Sequence, residues 1–133
     1  MIRHVWSVLC KQVFIDPQTD EAMLGLLESL PLGAITDLAP SAIATEFDLV
    51  SLWYCDVATA AFTYKVKATG PSGQQLVEVD VPAVGFEPPK HRSRTRVRFP
   101  GVAYDGSGVY WFRVMRLVDG QEILDAEIPL QLG

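Results

Sequence analysis

Residues 90–99 read Lys90-His91-Arg92-Ser93-Arg94-Thr95-Arg96-Val97-Arg98-Phe99, KHRSRTRVRF, with a cation at every second position from 90 to 98. Side chains alternate faces along an extended chain, so a strand here projects Lys90, Arg92, Arg94, Arg96 and Arg98 from one side. Ser93, Thr95, Val97 and Phe99 take the other side. A helix would scatter the same cations around its axis. The period of two therefore fixes this segment as β-structure.

The same period appears on either side. In 61–69, Phe62, Tyr64, Val66 and Ala68 share one face while Thr63, Lys65 and Lys67 share the other. In 74–82, Val77, Val79 and Val81 alternate with Leu76, Glu78 and Asp80. In 122–131, Leu124, Ala126, Ile128 and Leu130 oppose Ile123, Asp125, Glu127 and Pro129; Pro129 lacks an N–H for a ladder, which places it on an edge or at a strand end. Strands are expected near 3–15, 21–30, 46–56, 61–69, 74–82, 92–100, 108–118 and 122–131. Breaker residues divide them at short, even intervals, the pattern of an all-β, antiparallel, immunoglobulin-like β-sandwich of about eight strands. At 133 residues and 14.7 kDa, a single domain spanning 1–133 is expected.

Two turns are explicit. Asp16-Pro17-Gln18-Thr19-Asp20 combines a proline of fixed φ with an Asp able to accept from the following amides, which pairs the first two strands. Asp119-Gly120 is a hairpin signal between the last two. The segment EAMLGLLESL, 21–30, also fits a helical stripe through Met23, Leu24, Leu26, Leu27 and Leu30; the preceding turn and Gly25 favour a strand. Residues 31–45, with two prolines and no sustained alternation, read as a crossover loop between sheets, with room for one helical turn.

Tyr104-Asp105-Gly106-Ser107-Gly108-Val109-Tyr110 places an acidic, glycine-containing turn before a tyrosine. It resembles the tyrosine corner of immunoglobulin-like sandwiches, in which the phenol bonds to upstream backbone. The cysteine expected two residues later is replaced by Phe112, and Trp53 with Cys55 does not match antibody spacing, so the likeness is architectural. More broadly, HVWSVLC, DPQTDE, LGLLESL and GVYWFRVMRLVDGQEILDAEIPLQL resemble an uncharacterised bacterial family of short single-domain β-sandwich proteins. That resemblance implies a fold and a bacterial origin. It supplies no catalytic residues.

Composition narrows the function. Hydrophobic residues make up 49% of the chain and charged residues 20%, enough apolar matter for a packed core. Net charge is −5; without the five cations of 90–98, the remaining six basic and 16 acidic residues carry −10, so the molecule is electrically polarised. The apolar run Val5–Leu9 is too short for a signal-peptide core, and no stretch reaches the roughly 20 residues of a membrane helix. A cytoplasmic location, with no membrane partner, follows as an expectation. Cys10 and Cys55 are then reduced, buried thiols, although a disulfide between them is sterically open in an oxidising setting.

Catalytic signatures are missing. His4 and His91 lie in no ligand-spaced cluster, so neither a metal nor another cofactor is expected. His4 and Cys10 share strand parity but stand roughly 20 Å apart, too far for proton transfer. Gly106 and Gly108 form a GxG that leads into a strand, without the helix dipole that binds phosphate. No catalytic residue is assigned.

Two surfaces remain. The cationic stripe Lys90, Arg92, Arg94, Arg96, Arg98 is either a solvated face, an acidic-protein contact that includes a second copy of the chain, or a nucleic-acid contact. If 74–82 and 92–100 are hairpin neighbours, Glu78 and Asp80 neutralise it. Sparse aromatics, only Phe86 and Phe99, disfavour single-stranded nucleic acid. The second surface is Trp111, Arg113 and Met115, opposite the apolar face of Tyr110, Phe112 and Val114; these residue types are enriched at protein interfaces and suit a homodimer. The function expected from sequence is a non-catalytic protein-interaction module open to self-association, with the Trp111, Arg113, Met115 face as the candidate homodimer surface and polyanion or nucleic-acid binding through 90–98 as the alternative.

Overall fold

The computed structural model of the chain describes residues 2–30, 35–36, 39–43, 46–56, 61–86 and 91–133. Among these the regular structure is β throughout. The eight expected strands are β1 (Ile2–Ile15), β2 (Ala22–Leu26), β6 (Phe47–Cys55), β7 (Ala61–Thr69), β8 (Gln75–Gly85), β9 (Arg92–Phe99), β11 (Gly108–Val118) and β12 (Gln121–Leu132). Four short ones join them: β3 (Ser29–Leu30), β4 (Ile35–Thr36), β5 (Ala39–Ile43) and β10 (Val102–Ala103). One sheet runs β2-β1-β6-β9, the facing sheet β3-β12-β11-β7-β8, and a small third sheet β10-β5-β4. Only the β3–β12 pairing is parallel among the described strands. The fold is an immunoglobulin-like β-sandwich.

The 21–30 segment is extended, not helical. Its leucines divide accordingly: Met23 and Leu26 are exposed on the edge strand β2, while Leu27 and Leu30 enter the core. Leu27 donates its amide to the carbonyl of Leu9 at 2.8 Å, after which the chain leaves the first sheet and pairs with β12 in the second.

Two sequence expectations require correction. The stretch 31–45 is not simply a crossover loop: within its described residues, β4 and β5 pair with each other and β5 with β10. Proline and the absence of alternation concealed short strands that carry only a few ladder bonds each. Nor are 74–82 and 92–100 hairpin neighbours. β8 pairs with β7 in one sheet and β9 with β6 in the other, because the connection between them crosses the sandwich.

The core follows the period-two reading. Phe47, Leu49, Trp53, Val97 and Phe99 from one sheet meet Phe62, Tyr64, Val66, Tyr110, Phe112 and Val114 from the other. Each large side chain so removed from water contributes about 1.5–3 kcal/mol. Trp53 lies 4.7 Å from the Phe62 ring and 5.0 Å from Tyr64, and Phe112 packs on both Phe47 and Phe99. Polar atoms within this layer are satisfied: Trp53 Nε1 and the Tyr64 hydroxyl each donate to Thr95 Oγ1 at 2.9 Å.

The turns behave as their residues dictate. Asp16 Oδ1 accepts from the Gln18 amide at 2.8 Å, and the Asp20 amide donates to the Asp16 carbonyl at 2.8 Å. Asp119 and Gly120 both have positive φ, 50° and 78°, the geometry that matches the twist of a two-residue hairpin. The tyrosine corner is present: the Tyr110 hydroxyl accepts from the Asp105 amide and donates to the Gly106 carbonyl, both at 2.7 Å. Asp105 also accepts from the Ser72 amide and hydroxyl, tying this turn to the β7–β8 hairpin.

Candidate anion-binding face

β9 places its arginines as the alternation requires. Arg92, Arg94, Arg96 and Arg98 stand opposite Tyr54, Leu52, Val50 and Asp48 of β6, all on the outer face of the sheet. Lys90, the fifth cation of the stripe, lies outside the described residues. Among the described strands β9 pairs with β6 alone and forms the margin of its sheet.

The acids that meet these arginines are not those expected. Glu78 contacts Lys65 at 3.2 Å and Asp80 contacts Lys65 at 3.8 Å, on the other sheet. The carboxylates at the stripe are Asp48 and Asp20. Asp48, buried at 1% exposure, accepts from Arg96 Nη2 at 2.9 Å and from Arg98 Nε at 3.3 Å. Asp20, from the β1–β2 turn, lies 3.5 Å from both Arg92 Nη2 and Arg94 Nη1, and its carbonyl accepts from Arg94 Nη2 at 3.2 Å. The turn reaches β9 because a register shift between Cys10 and Gln12 bends the hairpin arm.

Among the described residues four arginines thus face two carboxylates, a local balance of +2 on a molecule whose total is −5, so everything else together carries −7. Arg92, Arg96 and Arg98 remain well exposed, with 56%, 44% and 62% of their side chains accessible. Arg94 is enclosed, 18% accessible, and its Nε is buried without a hydrogen-bond partner. Between the bent arm and β9 lies a cavity of about 340 Å³. Val13 and Ile15 of the arm, Val50 and Leu52 of β6, and Arg92, Arg94 and Arg96 line it, with Asp20 at the same site.

Sequence reasoning found the arginines and missed Asp20, Asp48 and the aliphatic lining. Asp48 carried a signal: an acid within FDLVSLW, a strand apolar on both faces, implies a buried charge that has a cationic partner. Asp20 carried none, being 72 residues from Arg92 along the chain.

The other candidate surface is ordered differently. Trp111, Arg113 and Met115 do form a row on the outer face of the second sheet, beside Thr69, Lys67 and Lys65. Arg113 is held by Glu127 at 3.1 Å and by Thr69 at 2.7 Å, and Lys65 and Lys67 both contact Glu122. Ion pairs therefore lace what looked apolar in sequence. Exposed pairs of this kind contribute about 0–1 kcal/mol each.

The His4–Ser7–Ser51 chain and the two cysteines lie away from the cavity beside β9. His4 Nε2 lies 2.7 Å from Ser7 Oγ, which lies 2.6 Å from Ser51 Oγ, but His4 packs its edge on Trp53, Ser51 is fully buried, and none of the three lines the cavity. Burial holds the His4 imidazole below its ordinary pKa despite the opposing field of Asp125; Arg116 lowers it further. Cys10 and Cys55 are both free and buried, and burial followed by Asp48 pushes the Cys10 thiol up, away from reactive thiolate. Cys10 stands opposite Asp48 and Cys55 opposite Ile2 on the same strand pair. Eight residues of extended chain, about 26 Å, separate them, so the disulfide left open by sequence is excluded. His91 Nδ1 contacts the Cys55 carbonyl at 3.0 Å. Among the described residues no group of three or more His, Cys, Asp or Glu side chains is placed to hold a metal, and no helix is long and apolar enough to cross a membrane.

The two facing sheets and the tyrosine corner define the class, an immunoglobulin-like domain. No family model and no curated protein matches the chain. Solved structures do. The C-terminal domain of wzt aligns over 99% of this chain and 73% of that chain at 9% identity, with a TM-score of 0.48. An immunoglobulin-like protein from Pseudomonas aeruginosa aligns over 100% of this chain and 97% of that chain at 14% identity, with a TM-score of 0.43.

Proposed function

We propose that this chain is a non-catalytic binding domain that recognises an acidic, extended protein segment along the arginine face of β9. The observation that carries this reading is the charge inventory of that face among the described residues: four arginines against two carboxylates, on a molecule that is otherwise strongly acidic. Guanidinium groups bind carboxylates through charge-assisted N–H bonds, and here each of these arginines already points one nitrogen at Asp20 or Asp48. Alternate arginines along a marginal strand match the repeat of an added strand that carries Asp or Glu at every second position. The acidic remainder repels a long polyanion from the flanks but tolerates a short segment confined to the face. Tyr54, 42% exposed, is the aromatic paired across from Arg92, which offers little stacking surface for nucleic-acid bases.

The test is fluorescence anisotropy with a labelled peptide of alternating Glu and Thr, the same peptide with Gln for Glu, and a labelled single-stranded oligonucleotide. The expected result is salt-sensitive binding of the Glu peptide and none of the Gln peptide. Absence of Glu-peptide binding overturns the reading, and tighter binding of the oligonucleotide replaces it with the polyanion alternative.

A further inference from the structure

We infer that the cavity beneath the β1–β2 arm is a binding site for a small carboxylic acid with a branched aliphatic body, and that Asp20 occupies the carboxylate position as an internal competitor. The inference rests on the arginine-face reading and names a ligand class for its recessed part.

Three observations converge on Arg94. Its Nε is buried with no partner, so the guanidinium is held incompletely satisfied at the cavity wall. Its contacts to the Asp20 carboxylate are long, 3.5 Å for Nη1, whereas the permanent pair between Arg96 and Asp48 closes to 2.9 Å. Arg92 and Arg94 together share the one carboxylate of Asp20, so the pair keeps an excess positive charge after Asp20 is counted. An incoming carboxylate that takes the place of the Asp20 carboxylate on the Nη groups of Arg92 and Arg94 closes those long contacts to ordinary hydrogen-bond distance.

The rest of the cavity sets the body of the ligand. Val13, Ile15, Val50 and Leu52 offer a branched aliphatic wall, and a volume of about 340 Å³ matches the size of a short acid. Asp20 sits on the turn, at a positive φ of 60°, so its carboxylate is carried on the arm that forms the other wall. Ligand and Asp20 compete for the same guanidinium groups. Filling the site therefore loosens the arm from β9.

Arginine side-chain Nε–H spectra of the full chain, titrated with 4-methylpentanoate and separately with 4-methylpentanamide, test this. Saturable movement of the Arg94 Nε–H signal by the acid and not by the amide is expected. Asp20→Asn removes the competitor and tightens binding about tenfold, and Arg94→Lys, which keeps the charge but loses the fork, weakens it by a similar factor. Backbone spectra establish that both variants remain folded. No saturable shift, an equal response to the amide, or an Asp20→Asn variant that binds no more tightly overturns the inference. The Glu peptide is titrated in parallel. Peptide binding without acid binding removes the inference alone; acid binding without peptide binding removes the arginine-face reading and leaves the cavity as a site in its own right; failure of both removes both.

Discussion

Arg96 Nη2 lies 2.9 Å from Asp48 Oδ2, a surface guanidinium anchored on a carboxylate that water scarcely reaches. Asp48 also receives Arg98, so it carries two arginines of the row. Replacing it with Asn keeps the shape and removes the charge. Breaking such a half-buried pair costs about 1–3 kcal/mol, read as a lower midpoint in urea unfolding. The same change raises the face from +2 to +3, so the Glu peptide binds Asp48→Asn more tightly even as the fold weakens.

Tyr110 and Gly70 hold one corner from two sides. Tyr110→Phe deletes the bonds to the Asp105 amide and the Gly106 carbonyl and costs about 1–3 kcal/mol, a fall of several degrees in Tm. A Cβ at Gly70 would collide with the Asp105 side chain, so Gly70→Ala displaces that carboxylate from Ser72 and also lowers Tm. The two changes share Asp105, and their double mutant is less destabilised than the sum.

The pH dependence of stability has a sign set by His4. Its folded pKa is held down by burial, so the unfolded chain takes up a proton first as pH falls. Stability is complete above the ordinary histidine value of about 6.5 and is lost as pH drops through the lower folded value. Urea midpoints at pH 7.5 and 5.5 should therefore fall for the native sequence, and His4→Gln should flatten that difference. A midpoint that rises on acidification contradicts the assignment.

Both thiols are sealed. Cys10 and Cys55 are 0% exposed, and the Cys10 pKa is raised, so a disulfide-exchange reagent leaves the native chain unlabelled while denatured protein reacts at two thiols. Fast labelling without denaturant would show that one of these strands opens.

Period two made most of this fold legible. The alternation of Phe62, Tyr64, Val66 and Ala68 read directly as a core face, and that of Arg92 to Arg98 as a row, because each depends only on backbone geometry. Asp119-Gly120 and Asp16 were equally local. Pairing was not. Glu78 and Asp80 follow β7 and precede β9 with the same parity, and sequence alone does not say which neighbour they meet; the chain crosses between sheets after β8, so Lys65 takes them. The partners of the row, Asp20 and Asp48, lie 72 and 50 residues from Arg92 and Arg98, where no local rule applies. The charges that flank Trp111 and Met115 were out of sight for a related reason: they come from β7 and β12.

The most direct test of the account is a charge swap measured by anisotropy. Arg94→Glu with Arg96→Glu, in a variant whose melting shows it folded, should lose the Glu peptide by at least about tenfold and gain affinity for a matching Lys peptide that the native chain ignores. Unchanged affinity for the Glu peptide in that variant would contradict the claim that the β9 arginines are where the partner binds.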